Sequence, residues 1–267
     1  MEILGYILAA LVGVSLGLIG SGGSILTVPI LVYIMGVDAV SATAYSLFIV
    51  GSTALVGGIQ NAMAGKVDFK TVLIFGVPSI AAVYLTRLWL VPFIPKEIMT
   101  IGSFVLTKPI ALMLLFAVVM LMASYSMIKP SGEKNEADEN AVMTYNYPMI
   151  LAEGTIVGIL TGLVGAGGGF LIIPALVLLA KMPMKLAVGT SLFIIAAKSL
   201  IGFIGDIQGE NVIDWNLLSI FTLSAVLGIF GGIYLSKKIA GAKLKTGFGW
   251  FVLVMGIYII AKELFFK

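Results

Sequence analysis

The chain has 267 residues, of which 60% are hydrophobic and only 11% are charged, with a formal net charge of +3. Its 16 basic and 13 acidic side chains are too few to cover a soluble protein of this size, so the composition excludes soluble enzymes, nucleic-acid-binding proteins and disordered scaffolds. Cysteine and histidine are both absent, which excludes thiolate and imidazole chemistry and the usual zinc, haem and iron–sulfur sites, so we expect no metal and no cofactor.

Apolar runs follow one another along the whole chain. A membrane-spanning helix needs about 20 apolar residues, and eight blocks have at least that length. The blocks cover residues 3–36, 39–60, 69–94, 104–128, 147–180, 184–205, 215–236 and 247–266. The sequence therefore predicts an all-α polytopic membrane protein in contact with lipid.

The first and fifth blocks, 3–36 and 147–180, differ from the others. Each is too long for one helix and too short for two comfortable spans, and glycines interrupt each near its centre. Interrupted helices at membrane depth are typical of transporters, in which the freed backbone groups line a cavity inside the protein. We therefore predict a broken or re-entrant, glycine-rich helix pair in each block.

The two halves of the chain repeat each other at an offset of 145 residues. Over residues 13–57, 17 of 45 positions are identical at this offset without a gap, and six of the identical residues are glycines. Between the halves, residues 129–146 are hydrophilic, with mixed charge and no apolar period. The sequence thus predicts two homologous four-block repeats, residues 1–128 and 147–267, joined by the linker 129–146.

The charges of the loops leave the relative direction of the repeats open. The loop after the sixth block has no basic residue, whereas the loop after the seventh is rich in lysine, which places the latter in the cytoplasm. These lysines are Lys237, Lys238, Lys243 and Lys245. If the glycine-interrupted blocks are hairpins, each half crosses the membrane an odd number of times and the repeats are inverted. If those blocks cross fully, the repeats are parallel.

Two glycine clusters occupy equivalent positions. They are Gly20-Ser21-Gly22-Gly23-Ser24 in the first half and Gly165-Ala166-Gly167-Gly168-Gly169 in the second. Consecutive glycines do not sustain a helix in lipid, so unwound backbone exposes N–H groups there, and the half-helix that follows adds the positive end of its dipole. Such donors suit an oxyanion, and we predict substrate binding at both clusters. The alternative is close helix packing, which we adopt for Gly13 and Gly17.

Small and polar residues form a stripe on the second and sixth blocks. Spacings of seven, four and four residues keep each set on one helical face. The sets are Ser46, Thr53, Gly57 and Asn61, and Ser191, Lys198, Gly202 and Asp206. Lys198 lies about 12 Å along its helix from Asp206, deeper than a lysine that only reaches for the interface.

We predict that Lys198 neutralises a bound anion, because an ionisable residue at this depth marks a functional site. The alternatives are a structural ion pair, or a tilted helix that lets the lysine reach the headgroups. The further predicted substrate contacts of the stripe and its neighbourhood are Ser46, Thr53, Thr190 and Ser191.

Residues at the ends of these elements are candidates for coupling or gating. Asn61 and Asp206 occupy the same repeat position, and Asp206 is a candidate proton carrier if it is buried. Pro29 and Pro174 end the apolar stretches that follow the glycine clusters. Arg87 either points into the protein or anchors the helix at the interface beside Trp89, and we favour the anchor.

The sequence resembles the sulfite exporter TauE/SafE family of permeases. The resemblance rests on the duplicated glycine clusters with Pro29 and Pro174, the chain length, the eight blocks and the central linker. The resemblance is strongest over residues 13–60 and 158–206. It implies transport of a small sulfur-containing anion, such as sulfite, a sulfonate or sulfoacetate, across the inner membrane. The repeat counterpart of Lys198 is Thr53, so the role predicted for Lys198 comes from this sequence and not from a family motif.

These features predict a secondary transporter, not an enzyme, that exports such an anion by alternating access, driven by the membrane potential or by protons. The alternatives are an importer or channel for thiosulfate or another small anion, an intramembrane enzyme, and an assembly partner with no flux of its own. The sequence contains no nucleotide-binding motif, and we expect no nucleic-acid partner. The oligomeric state is left open.

Overall fold

The computed structural model describes residues 2–20, 23–101, 104–128, 147–165, 167–169, 172–173, 176, 182–208, 213–236 and 241–265. Helices α1 to α9 span, in chain order, Glu2–Ile19, Ser24–Ile34, Ala39–Met63, Phe69–Phe93, Lys108–Ile128, Tyr147–Val164, Met184–Ile207, Trp215–Ser236 and Gly241–Phe265. Helices α2 and α4 each contain a π-helical turn, Ile30–Ile34 and Thr86–Leu90 respectively.

Five of the described helices are long and apolar enough to cross a membrane. Their spanning segments are Ala39–Met63, Phe69–Phe93, Lys108–Tyr125, Leu186–Ile207 and Trp215–Leu235, and shorter apolar helices are Ile3–Leu18, Ser24–Ile34 and Pro148–Val164. The predicted polytopic helical fold is thus confirmed, with one local exception. Glu97–Ile101 (β1) and Phe104–Thr107 (β2) pair as an antiparallel hairpin where block 104–128 predicted helix, because a short apolar run does not distinguish strand from helix.

The first glycine-interrupted block is a hairpin. Helix α1 ends at Ile19, and Gly20 has a left-handed φ of +79°, which residues with a side chain rarely adopt. The chain then reverses, because the end of α2 returns to the start of α1: a Cβ placed on Gly5 would lie 2.8 Å from Met35 Cγ. The predicted break is therefore present and re-entrant. In the second half, α6 ends before Gly165, whose φ is +74°.

Helices α3 and α7 form the centre of the molecule and run in opposite directions. A Cβ on Gly51 would touch Leu200 and one on Gly58 would touch Phe193, so residue numbers rise along one helix as they fall along the other. In each helix 67% of the most apolar stretch is buried, against 33% in α8. Since α3 and α7 are equivalent in the predicted duplication, their opposite directions are those of inverted repeats.

Each of the other long helices packs against a helix of the other half of the chain. Helix α1 packs against α8, α6 against α4, and α5 against α9. Gly13 permits the first contact, because a Cβ there would overlap the carbonyl of Ala225, and Gly17 makes a similarly close contact with Ile229. The packing interpretation of these two glycines is confirmed. The division into residues 1–128 and 147–267 stays a prediction, since the linker 129–146 lies outside the described residues.

Candidate functional site

The two glycine clusters lie side by side halfway along the central helices. A Cβ on Gly167 would lie 2.6 Å from Val50 Cγ1 and 3.4 Å from both Ile195 Cγ2 and Ser24 Cβ. Val50 and Ile195 are each the twelfth residue of their helix, α3 and α7. Ser24 at the start of α2 and Gly167 of the second cluster are therefore neighbours near the middle of the spans.

Both clusters rest on the preceding helix through equivalent contacts. Gly23 packs on Leu16 of α1, and Gly168 packs on Thr161 of α6, too closely for a side chain in either case. Gly168 also has a φ of +60°, so a residue with a side chain is disfavoured there for a second reason. The described glycines of the clusters are all buried, and they are Gly20, Gly23, Gly165, Gly167, Gly168 and Gly169. Close packing therefore accounts for part of the glycine content.

Lys198 lies beside the second cluster and is 0% exposed. Its Nζ donates a hydrogen bond to Thr161 Oγ1 at 3.0 Å, and a Cβ placed on Gly168 would lie 2.8 Å from this nitrogen. Among the described residues, no carboxylate forms an ion pair with Lys198. A buried ammonium with one neutral partner is unfavourable unless a counter-charge is present. The arrangement is therefore chemically suited to receiving an anion.

The hydroxyl groups of the stripe differ in their existing partners. Thr53 Oγ1 donates to Ile49 O at 2.6 Å and Ser191 Oγ donates to Val188 O at 2.8 Å, so each proton is engaged within its own helix. Ser46 Oγ is buried and has no hydrogen-bond partner within the described part of the chain. Ser46 is thus the hydroxyl with a proton to offer, whereas Thr53 and Ser191 are able to accept.

Thr190, another predicted contact, holds a turn. Its Oγ1 accepts a 2.9 Å hydrogen bond from Asp68 N, in the turn before α4. At the equivalent position of the first half, the Tyr45 hydroxyl accepts a 2.7 Å hydrogen bond from Asp214 N, before α8. The structure therefore gives Thr190 a place in the fold near the start of α7.

The predicted coupling residues that the structure describes have different surroundings. Asn61 is half-buried, and its side-chain amide donates to Gly57 O of the same helix at 2.9 Å. Pro29 directly precedes the π-helical turn of α2. Asp206 is 4% exposed and forms an ion pair with Arg87. Pro174, like Ser21 and Gly22, lies outside the described residues.

The favoured interpretation of Arg87 as an interfacial anchor is wrong, and the alternative, that it points into the protein, is confirmed. Arg87 is 1% exposed, and its Nη1 donates hydrogen bonds to Asp206 Oδ1 at 3.3 Å and to Thr43 Oγ1 at 3.1 Å. It lies in the π-helical turn of α4, whereas Trp89 in the same turn is exposed. The buried charge of Arg87 is tolerated because Asp206 on α7 supplies a counter-charge. The two residues are 119 positions apart, so the sequence does not show that they meet.

Sequence reasoning missed two further polar groups of the site, Thr43 and Thr161. Arg87 carried a signal, because it is a charged residue within an apolar run. The two threonines gave no such signal, because only the tertiary structure shows which residues they contact. Thr43 packs against Gly165, so the second glycine cluster has the Arg87 ion pair at one end and Lys198 at the other.

Several known proteins similar to this chain are named as probable membrane transporters. The sequence profile of the family described as sulfite exporter TauE/SafE matches residues 6–259. The chain is 29% identical over 253 residues to a probable membrane transporter protein of Xylella fastidiosa strain 9a5c, covering 94% of this chain and 91% of the relative. It is 30% identical over 244 residues to the probable membrane transporter protein YunE of Bacillus subtilis strain 168, covering 85% and 84%. No solved structure matches the chain.

Proposed function

The chain belongs to the sulfite exporter TauE/SafE family, and on that premise we propose that it is a secondary transporter that exports a small sulfur-containing anion, of the sulfite, sulfonate or sulfoacetate type. The names of the family and of the relatives describe membrane transporters and not enzymes. With its apolar helices the chain is a multi-pass membrane protein. The substrate, the direction of transport and the inner membrane as its location are parts of the proposal.

One observation carries the choice of an anion, namely the burial of Lys198 without a carboxylate partner among the described residues. An anion bound beside Gly168 would supply the missing counter-charge and accept hydrogen bonds from Lys198 Nζ. Ser46 Oγ is a further donor. The backbone N–H groups of Gly20 and Gly165 donate to Leu16 O and Thr161 O, so they are already engaged, and the N–H groups of the other cluster glycines belong to the proposal. Oxyanions accept several hydrogen bonds at once, so this donor set favours them over a cation or a neutral solute.

The arrangement of the helices supports alternating access. The glycine clusters are neighbours halfway along α3 and α7, which is where transporters with inverted repeats bind their substrates. Because each half contributes one cluster, a rocking motion of one half against the other would open the site first to one side and then to the other. We infer that the repeat units are residues 1–128 and 147–267.

Export of an anion from a cell that is negative inside is electrically downhill, by about 2.3 kcal/mol per charge at 100 mV. The membrane potential alone therefore suffices to drive it, and proton coupling through Asp206 would add to that drive. Membrane lipid is the other partner that this proposal requires. An importer or a channel for thiosulfate or another anion shares the site but differs in its kinetics.

The test is flux through the purified protein in liposomes. Uptake of radiolabelled sulfite is measured under an imposed potential, with and without a pH gradient, against sulfate, a small sulfonate and chloride as competitors. We expect saturable flux that sulfonate inhibits more strongly than chloride, with counterflow distinguishing a carrier from a channel. Flux that responds to the potential but not to the pH gradient would remove the proton from the mechanism. Folded protein without flux of any of these anions would contradict the proposal.

A further inference from the structure

We propose that Arg87 is a second anion-binding residue, and that the Nε–Nη2 edge of its guanidinium binds an oxyanion through two parallel hydrogen bonds. This inference rests on the proposed function and deepens it. It gives the substrate a second position near Asp206, which lies about 12 Å along α7 from Lys198. The interpretation from the sequence had placed Arg87 at the membrane surface, outside any site.

One edge of the guanidinium is occupied and the other is not. Nη1 donates to Thr43 Oγ1 and to Asp206 Oδ1. Nε and Nη2 are buried and, as far as the chain is described, neither has a hydrogen-bond partner. These two nitrogens form the edge of arginine that matches two oxygens of a carboxylate, sulfite or sulfonate group. Buried donors of this kind are rarely left unsatisfied, so the open edge indicates a missing acceptor.

Neighbouring residues hold the guanidinium in a fixed position. Asp206 and Thr43 bind Nη1 from α7 and α3, and a Cβ on Gly205 would lie 3.1 Å from Arg87 Cβ, so α7 approaches α4 closely here. Thr43 in turn packs against Gly165. Through Nη1 and Thr43, the guanidinium is therefore linked to the same glycine cluster that has Lys198 at its other end.

The two positions differ in charge balance, which gives them different roles. The positive charge of Lys198 has no carboxylate partner among the described residues, whereas Asp206 balances Arg87. An anion at Arg87 is repelled by Asp206, so it binds more weakly and leaves more readily. Asp206 is at the end of α7 that precedes α8, and α8 leads to the lysine-rich loop assigned to the cytoplasm. Arg87 is thus placed at the outer end of the path, as an exit site for an exported anion.

The test is equilibrium binding of radiolabelled sulfite to the purified, full-length protein. Arg87→Lys keeps the positive charge and its attraction to Asp206 but removes the Nε–Nη2 edge, so we expect the dissociation constant of the second, weaker binding step to rise about tenfold. Asp206→Asn keeps an oxygen acceptor for Nη1 and removes the repelling charge, so we expect the constant to fall several-fold. Exposed Lys96→Met is the control for general positive charge and should leave binding unchanged.

The opposite changes in the dissociation constant distinguish a binding role of Arg87 from a structural one. If Arg87 and Asp206 only hold the fold, both variants lower the melting temperature and neither tightens sulfite binding, which overturns the proposal. Should Arg87→Lys fail to fold, Thr43→Val loosens the guanidinium and must itself weaken binding. Binding that is lost in Lys198→Met but unchanged in Arg87→Lys and Asp206→Asn removes the Arg87 site and leaves the proposed function. Wild-type protein that binds neither sulfite nor methanesulfonate contradicts both.

Discussion

Helices α3 and α7 are equivalent in sequence, yet their polar residues act differently. In α3, Thr53 and Asn61 form their hydrogen bonds within the helix. In α7, the residues at the same positions are Lys198 and Asp206, and they bind side chains on other helices. The predicted duplication thus accounts for a matched pair of central helices, and charge on one of them makes the two ends of the site chemically different.

The largest effect is expected from removing the charge at the end of α7. Asp206→Leu leaves the buried Arg87 without its counter-charge, which should lower the free energy of unfolding by about 3–5 kcal/mol. The equivalent substitution Asn61→Leu in α3 removes a hydrogen bond to its own helix and should change it by about 1 kcal/mol or less. Thermal unfolding of both variants in detergent makes the comparison. Equal losses would mean that the two helix ends have the same role.

The next effect concerns the middle of the same helices. Lys198→Met removes the proposed counter-charge of the anion, and the dissociation constant for sulfite should rise about 10- to 100-fold, the worth of a charge-assisted hydrogen bond. Thermal stability should be unchanged or higher, because an unpaired buried charge is replaced by an apolar side chain. At the equivalent position, Thr53→Val should alter binding less than about threefold. A loss of stability without a loss of binding would make Lys198 a structural residue.

Helix packing should respond equally in the two halves. A Cβ on Gly13 would overlap the backbone of α8, and one on the equivalent Gly158 would overlap the backbone of α4. We expect Gly13→Ala and Gly158→Ala each to lower the free energy of unfolding by about 1–3 kcal/mol. Gly76→Ala is the control, since nothing lies within 4 Å of its added Cβ, and it should stabilise α4 by about 0.5–1 kcal/mol. Destabilisation in only one half would mean that these two helix contacts are not equivalent.

The smallest effect is expected at the two turns. Tyr45→Phe and Thr190→Val each remove one acceptor for a backbone N–H, of Asp214 and Asp68 respectively. Each should lower the free energy of unfolding by about 0.5–1.5 kcal/mol. Sulfite affinity should be unchanged in both variants. A clear fall in affinity for Thr190→Val alone would support the predicted substrate contact of Thr190.

Much of the fold was predictable from the sequence because it depends on composition and on short-range order. The apolar blocks marked the helices, and the glycine clusters marked where α1 and α6 end. The site was predictable only in part. The depth of Lys198 along its helix followed from residue spacing, but the burial of Arg87 did not, because an arginine near Trp89 fits a membrane interface equally well.

The sequence by itself determined the membrane class, most of the helices and the family, and it predicts the duplication, since hydropathy, glycine content and self-similarity are properties of the chain alone. The tertiary structure decided which residues meet. It made α3 and α7 antiparallel, placed Ser24 beside Gly167, and paired Arg87 with Asp206 across 119 residues. The physical reason is that a buried charge is stable only beside a partner, and packing between helices, which no local pattern records, selects that partner.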